Sequence, residues 1–97
     1  MNYLKKFNLS DKDLDEIYDS LSDENWQFIT ATKTQVGTLL EYLISIGITN
    51  IKNIFLYRPN VLYQYAEDMK KYIEESQITD IVQKINEDVE NFDLLGL

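Results

Sequence analysis

The chain has 97 residues, a net charge of −8, and neither cysteine nor histidine. A chain of this length is expected to form one domain, and the two missing residue types exclude disulfides, thiolate chemistry, most zinc sites and imidazole catalysis. No apolar run approaches the roughly 18 residues that a membrane span needs, and the N-terminus lacks the apolar segment of a secretory signal. We therefore expect a cytoplasmic protein.

A short pattern of residues occurs three times in the chain. In each copy an aromatic–aliphatic pair is followed, five residues later, by an aliphatic residue and a hydroxyl residue. The copies are Tyr3-Leu4 with Leu9-Ser10, Tyr42-Leu43 with Ile48-Thr49, and Tyr72-Ile73 with Ile78-Thr79. They lie 39 and 30 residues apart, and repetition on this scale is typical of stacked helical units.

The first predicted unit spans residues 1–33. Asn8 tolerates the left-handed backbone that commonly ends a helix, and Ser10 is expected to cap the next helix because its hydroxyl can accept a backbone N–H. The apolar residues after this cap follow helical spacing. They are Leu14, Ile17 and Leu21.

The middle unit, residues 34–63, predicts a long helix, a tight turn and a short helix. The long helix has an apolar stripe, and Gly47 suits the left-handed position after it. Thr49 is expected to cap the short helix, and Pro59 is expected to end it and open another helical turn. The stripe consists of Val36, Leu39, Leu40, Leu43 and Ile46.

The third unit, residues 64–97, repeats the apolar positions of the middle unit at a shift of 30 residues. We expect a long helix over residues 64–76 and a short helix capped by Thr79. Gln77 suits a left-handed turn less well than Gly47, so this turn is expected to differ. The buried side of the long helix is expected to include Ala66, Met69, Tyr72 and Ile73.

These patterns predict an all-α domain over residues 1–97, built as a short solenoid-like stack of about three helical repeats. The scarcity of glycine and proline, with 3 and 1 residues, argues against a turn-rich β fold. A single unit of this size cannot bury its own apolar side, so neighbouring units are expected to cover one another.

The middle unit has a distinctive order of residues. A Leu-rich helix leads to Gly47-Ile48, then to a short apolar helix, and then to Arg58-Pro59-Asn60-Val61-Leu62. In this order the chain resembles the mitochondrial transcription termination factor (mTERF) repeat family, whose motif has a long helix, a Gly-Ile/Leu turn, a short helix and a proline before a Leu-rich turn. The resemblance covers most of the chain and implies a curved, basic, concave face that holds nucleic acid.

The charges are unevenly distributed along the chain. Residues 11–31 and 73–97 each carry seven acidic residues and one lysine, whereas residues 32–72 carry five basic and three acidic residues. Strong overall acidity repels nucleic acid at long range. If the resemblance holds, the candidate phosphate contacts are Lys33, Lys52, Arg58, Lys70 and Lys71.

The aromatic residues suggest a second kind of site. Of the seven tyrosines, Tyr42 and Tyr72 recur at one repeat position, which favours a structural role. Other aromatic residues have no such position, and tyrosine and tryptophan often anchor protein interfaces. The candidate protein-binding residues are Trp26, Tyr57, Tyr63 and Tyr65.

Two acidic patterns in the sequence indicate neither a metal site nor a catalytic site. Residues 11–15 resemble the start of a calcium loop, but Glu16 stands where the loop needs glycine and Ser22 stands where it needs glutamate. Adjacent carboxylates are frequent, but the sequence identifies no apolar pocket beside any of these pairs. Without such a pocket their pKa values are not expected to differ as acid–base catalysis requires. We expect no enzyme activity, no metal and no cofactor.

We therefore predict a non-catalytic binding module that mediates protein–protein interaction through an acidic, Tyr-rich helical surface. Its expected partner is a protein, not a membrane. Two alternatives stay open. One is an mTERF-like nucleic-acid-binding or transcription-related module that uses the central basic residues, and the other is an acidic mimic of nucleic acid that blocks a DNA-binding partner.

Overall fold

Helices make up the regular structure of this protein. The computed structural model describes residues 2–97, and within that range it contains α-helices, 3-10 helices (labelled η) and no strand. The predicted all-α fold is confirmed. In chain order the elements are η1 (Asn2–Phe7), α1 (Asp11–Ser20), α2 (Asp23–Ala31), α3 (Lys33–Ser45), α4 (Ile51–Tyr57), η2 (Pro59–Tyr63), α5 (Ala66–Glu75), α6 (Ile81–Glu87) and η3 (Val89–Leu95).

Helix α3 lies at the centre of the packing. It contacts η1 and α5, which are the corresponding helices of the first and third predicted units, and it also contacts α2 and η2. Helix α4 likewise contacts α1, its counterpart in the first unit, together with η2 and η3. The long helices of successive predicted units are thus neighbours, as are the short helices α1 and α4. The solenoid-like division into three units stays a prediction.

One hydrophobic core runs through the molecule. Every helix contributes at least one buried apolar side chain, and the largest of the fully buried ones belong to Phe55 and Phe92. Among the described residues, none of the buried side chains is polar or charged. The Cα radius of gyration is 12.7 Å, close to the roughly 12.5 Å expected for a compact domain of this length.

The three predicted turns share one backbone feature. Asn8, Gly47 and Gln77, which occupy the same repeat position, have positive φ angles of 64°, 105° and 54°. Gln77 therefore keeps the left-handed conformation that its side chain disfavours. The third turn differs at another place, because Asp80 has a φ of 63° where the corresponding Asn50 has −98°.

The predicted helix caps are correct only in the first unit. Ser10 caps α1 in a reciprocal capping box, in which its hydroxyl accepts the Asp13 N–H and the Asp13 carboxylate accepts the Ser10 N–H. The caps predicted at Thr49 and Thr79 are wrong, because α4 and α6 follow Asn50 and Asp80 without a side-chain cap. The Thr49 N–H and hydroxyl instead donate to Asn86 Oδ1, at 2.8 and 3.3 Å.

The predicted buried stripes hold better in α3 than in α5. Four of the five α3 stripe residues are buried and Ile46 is half-buried, whereas on α5 only Met69 is buried and Tyr72 is exposed. Helix α3 is covered by both η1 and α5, but the main contacts of α5 are with α3. Equivalent positions of the repeat are therefore buried to different extents in α3 and α5.

Candidate functional site

Lys52, a candidate phosphate contact, binds acidic residues of α1. Its Nζ lies 3.2 Å from Asp13 Oδ1 and 2.6 Å from Glu16 Oε2. Hydrogen bonds to Glu16 and Asp13 raise the pKa of Lys52, while the Ser10 N–H and then Lys52 lower the pKa of Asp13. Each group thus stabilises the charged form of the other, and the contact joins α4 to the first half of α1.

Arg58, the candidate that directly follows α4, binds the acidic C-terminal segment. Its guanidinium contacts the Glu90 carboxylate at 3.2 Å, the Asp93 carboxylate and the Leu97 carbonyl oxygen. The Arg58 side chain is only 18% exposed, and its buried Nε has no hydrogen-bond partner among the described residues. Arg58 therefore connects the end of α4 to η3.

The other three candidate cations are exposed. Lys33 begins α3, and Lys70 and Lys71 lie on α5. None of them forms an ion pair with any residue in the range 2–97. The five candidates therefore divide into two that bind acidic residues of this chain and three that face solvent.

Trp26, a candidate protein-binding residue, lies on α2 beside the end of α1. Its indole ring packs against the ring of Tyr18 with centroids 5.2 Å apart and planes tilted by 50°. The indole N–H donates to the Tyr18 backbone carbonyl at 3.1 Å. These two contacts fix the orientation of the indole ring.

Tyr18 and Trp26 line an open groove of about 470 Å³ with a mostly apolar wall. We call this the aromatic groove. Its α2 residues lie at the spacing of a single helix face. The lining residues are Tyr18, Asp23, Trp26, Gln27, Thr30 and Ala31.

Tyr63, another candidate, is used mainly for packing inside the molecule. Its ring stacks on Phe28 with centroids 4.0 Å apart, and its hydroxyl donates to Asn25 Oδ1 at 2.6 Å. Its backbone carbonyl accepts a hydrogen bond from Gln35 Nε2 at 3.1 Å. Tyr63 thereby joins η2 to α2 and α3.

The remaining two candidates lie elsewhere. Tyr65 precedes α5 and lines a separate groove of about 340 Å³ together with residues at the start of α3 and α5. Tyr57, on α4, is exposed. Trp26 and Tyr65 thus line two different grooves.

Tyr18 is the site residue that the sequence analysis missed. It is 66% exposed, the most exposed of the large hydrophobic side chains. No signal for it was present in the sequence, because Tyr18 lies four residues after Leu14 and three before Leu21, which is the spacing of the apolar stripe itself.

No family model, curated protein or solved structure matches this chain. The mTERF resemblance therefore stays a prediction. Within residues 2–97, no helix is long and apolar enough to cross a membrane, and no group of three or more acidic side chains is arranged to hold a metal ion.

Proposed function

We propose that this protein is a non-catalytic binding module that recognises another protein through the aromatic groove. The observation that carries the proposal is the pair Tyr18 and Trp26, which presents a fixed, partly exposed aromatic surface beside an open apolar groove. Tyrosine and tryptophan in such settings are the residues that most often dominate binding energy at protein interfaces.

The pre-set orientation of Trp26 supports the same proposal. Binding costs less conformational entropy when the contacting side chain is already held in place. The indole N–H of Trp26 has a partner in the Tyr18 carbonyl, so a bound partner can cover the ring without leaving this donor unpaired. The groove is therefore suited to burying an apolar or planar group.

The ion pairs of the central cations weigh against nucleic-acid binding. Lys52 and Arg58 each contact two carboxylates of this chain, so a phosphate would have to displace those partners. The same contacts also neutralise acidic residues at both ends of the sequence, which weakens the case for an acidic mimic of nucleic acid. The three exposed lysines remain the alternative phosphate contacts.

Site-specific photocrosslinking tests the proposed binding surface. A benzophenone amino acid replaces Tyr18 in one variant and Tyr72, an exposed tyrosine on α5, in a matched control. After illumination of cells that express each variant, we expect a discrete protein adduct from position 18 and none from position 72. A second change, Trp26→Ala, is expected to reduce the yield at position 18 severalfold because the groove loses the indole ring that lines it.

Each adduct is characterised by its mass and by whether nuclease or protease removes it. A nuclease-sensitive adduct at position 18 would contradict the proposal and favour the nucleic-acid alternative. Equal yields at the two positions, or no adduct at position 18, would also contradict it. Circular dichroism of the purified variants establishes that the helices are retained.

A further inference from the structure

We propose that the aromatic groove takes an arginine or lysine side chain from a basic segment of the partner protein. The inference rests on the proposed function and narrows it, because it names the chemistry of the group that enters the groove. It depends on two independent features of residues 11–31, namely the geometry of the two rings and the distribution of unpaired carboxylates.

The two aromatic residues of the groove suit a cation with an apolar stem. Trp26 lines the groove and is of the aromatic type that binds cations best, and the Tyr18 ring is tilted against it at a centroid distance of 5.2 Å. The stem of a lysine or arginine can lie along the apolar wall while the charged head stays near water. An open groove of about 470 Å³ has room for such a side chain.

Acidic residues of α1 and α2, the two helices that form the groove, supply the complementary charge. Residues 11–31 carry seven acidic residues, and three of them are neutralised inside the molecule by Lys5 or Lys52. The other four are exposed and form no ion pair with the described residues. These four are Asp15, Asp19, Asp23 and Glu24.

One of these four residues lines the groove, and the other three lie on the two helices that form it. Asp23 lines it directly, and Glu24 follows Asp23 in the first turn of α2. Asp15 lies three residues before Tyr18 and so on the same side of α1, whereas Asp19 directly follows Tyr18 and points away from it by about 100° around the helix. Lys12, the basic residue nearest in sequence to these four carboxylates, is exposed and forms no ion pair with residues 2–97.

The Asp23 carboxylate does not cap α2. Asp23 is at the first position of α2, where a negative charge is favoured by the helix dipole. The cap itself is formed by Ser22, whose hydroxyl accepts the Asn25 N–H at 3.2 Å. The Asp23 carboxylate is exposed at the groove and stays available to a cation from the partner.

The proposal is tested with peptide libraries on the immobilised full chain. Each acetylated and amidated peptide has one fixed central residue and random neutral flanking residues, with arginine at the centre of one library and glutamine at the centre of the other. We expect the arginine library to be retained roughly fivefold more than the glutamine library at low salt. Raising the salt concentration is expected to reduce this preference, because exposed charges are screened.

The best-retained arginine peptide is then titrated while the fluorescence of Trp26, the single tryptophan of the chain, reports binding at the groove. Tyr18→Ala and Asp23→Asn are each expected to weaken binding severalfold. Asp68→Asn is the matched control, because Asp68 is also exposed, also lies in the first turn of its helix, and forms no ion pair with the described residues. It is expected to leave the affinity unchanged.

Three results would overturn the inference. Suppose that both libraries are retained equally and that the fluorescence response is lost in Tyr18→Ala. The groove would then bind neutral groups, and the proposed function would remain in place. Equal effects of Asp23→Asn and Asp68→Asn would show that the carboxylate acts only through net charge. Failure of the arginine library to bind would overturn the inference as well, whereas the proposed function depends separately on the crosslink at position 18.

Discussion

Replacing Leu43 with alanine is expected to lower the free energy of unfolding by about 2–5 kcal/mol. Leu43 is 0% exposed in the middle of α3, so the shorter side chain leaves a cavity in the core. Domains of this size have a total stability of about 5–15 kcal/mol, so the loss is a large share. Urea denaturation followed by far-ultraviolet circular dichroism measures the change.

Ile73→Ala is the comparison for Leu43→Ala. Ile73 holds the same position in the third predicted unit but is only half-buried, so we expect a smaller loss of about 0.5–1.5 kcal/mol. Losses of equal size at the two positions would contradict the unequal cover of α3 and α5. An unchanged slope against urea concentration is needed before the two midpoints are compared.

Replacing Arg58 with alanine is expected to destabilise the protein by about 1.5–3 kcal/mol. Arg58 is largely buried and joins α4 to two carboxylates and a carbonyl oxygen of the C-terminal segment. Both carboxylates are more than half exposed and can be rehydrated, which keeps the loss below that for a fully buried pair. Urea denaturation measures the total effect, and hydrogen exchange over residues 89–95 measures the loosening of η3.

Two further variants define what Arg58 contributes. Arg58→Lys keeps the charge but cannot hold two carboxylates in a planar fork, so we expect an intermediate loss. Lys70→Ala removes one positive charge from an exposed site without an ion pair among the described residues, and a change within about 0.5 kcal/mol is expected. If Arg58→Ala and Lys70→Ala had the same effect, the ion pairs of Arg58 would contribute nothing to stability.

Local patterns were sufficient to predict most helices. The apolar spacing over Val36, Leu39, Leu40 and Leu43 identified the buried side of α3, because helical periodicity reports directly on which side is covered. Pro59 was correctly placed at the start of a further helical turn, since proline is preorganised for that position. The position of Gly47 at a positive φ was predicted for the same kind of local reason.

Contacts between distant segments were not predictable. Thr49 was expected to cap α4, but it binds Asn86 on α6, and no local rule contains that partner. Tyr72 matches Tyr42 in sequence but is more exposed, because cover depends on which helices lie alongside. Sequence alignment of repeats thus identifies equivalent positions without fixing their burial.

The candidate site was predicted in part. Trp26 was named from its residue type, but its partner Tyr18 was missed and Tyr63 proved to be stacked on Phe28. The central cations were recognised as a group, yet the sequence did not indicate that Lys52 and Arg58 bind the two acidic segments. Charged residues that are far apart in the sequence come into contact only in the folded structure.

We propose that Lys52 and Arg58 serve the fold rather than nucleic acid, and fluorescence anisotropy tests this most directly. Labelled duplex DNA and duplex RNA are titrated with the full chain at low and at physiological salt. We expect no rise in anisotropy at either salt concentration, because an acidic surface repels phosphates and the two cations already have carboxylate partners. Binding that appears at low salt, weakens as salt is added and is lost on charge reversal of Lys52 and Arg58 would contradict the account.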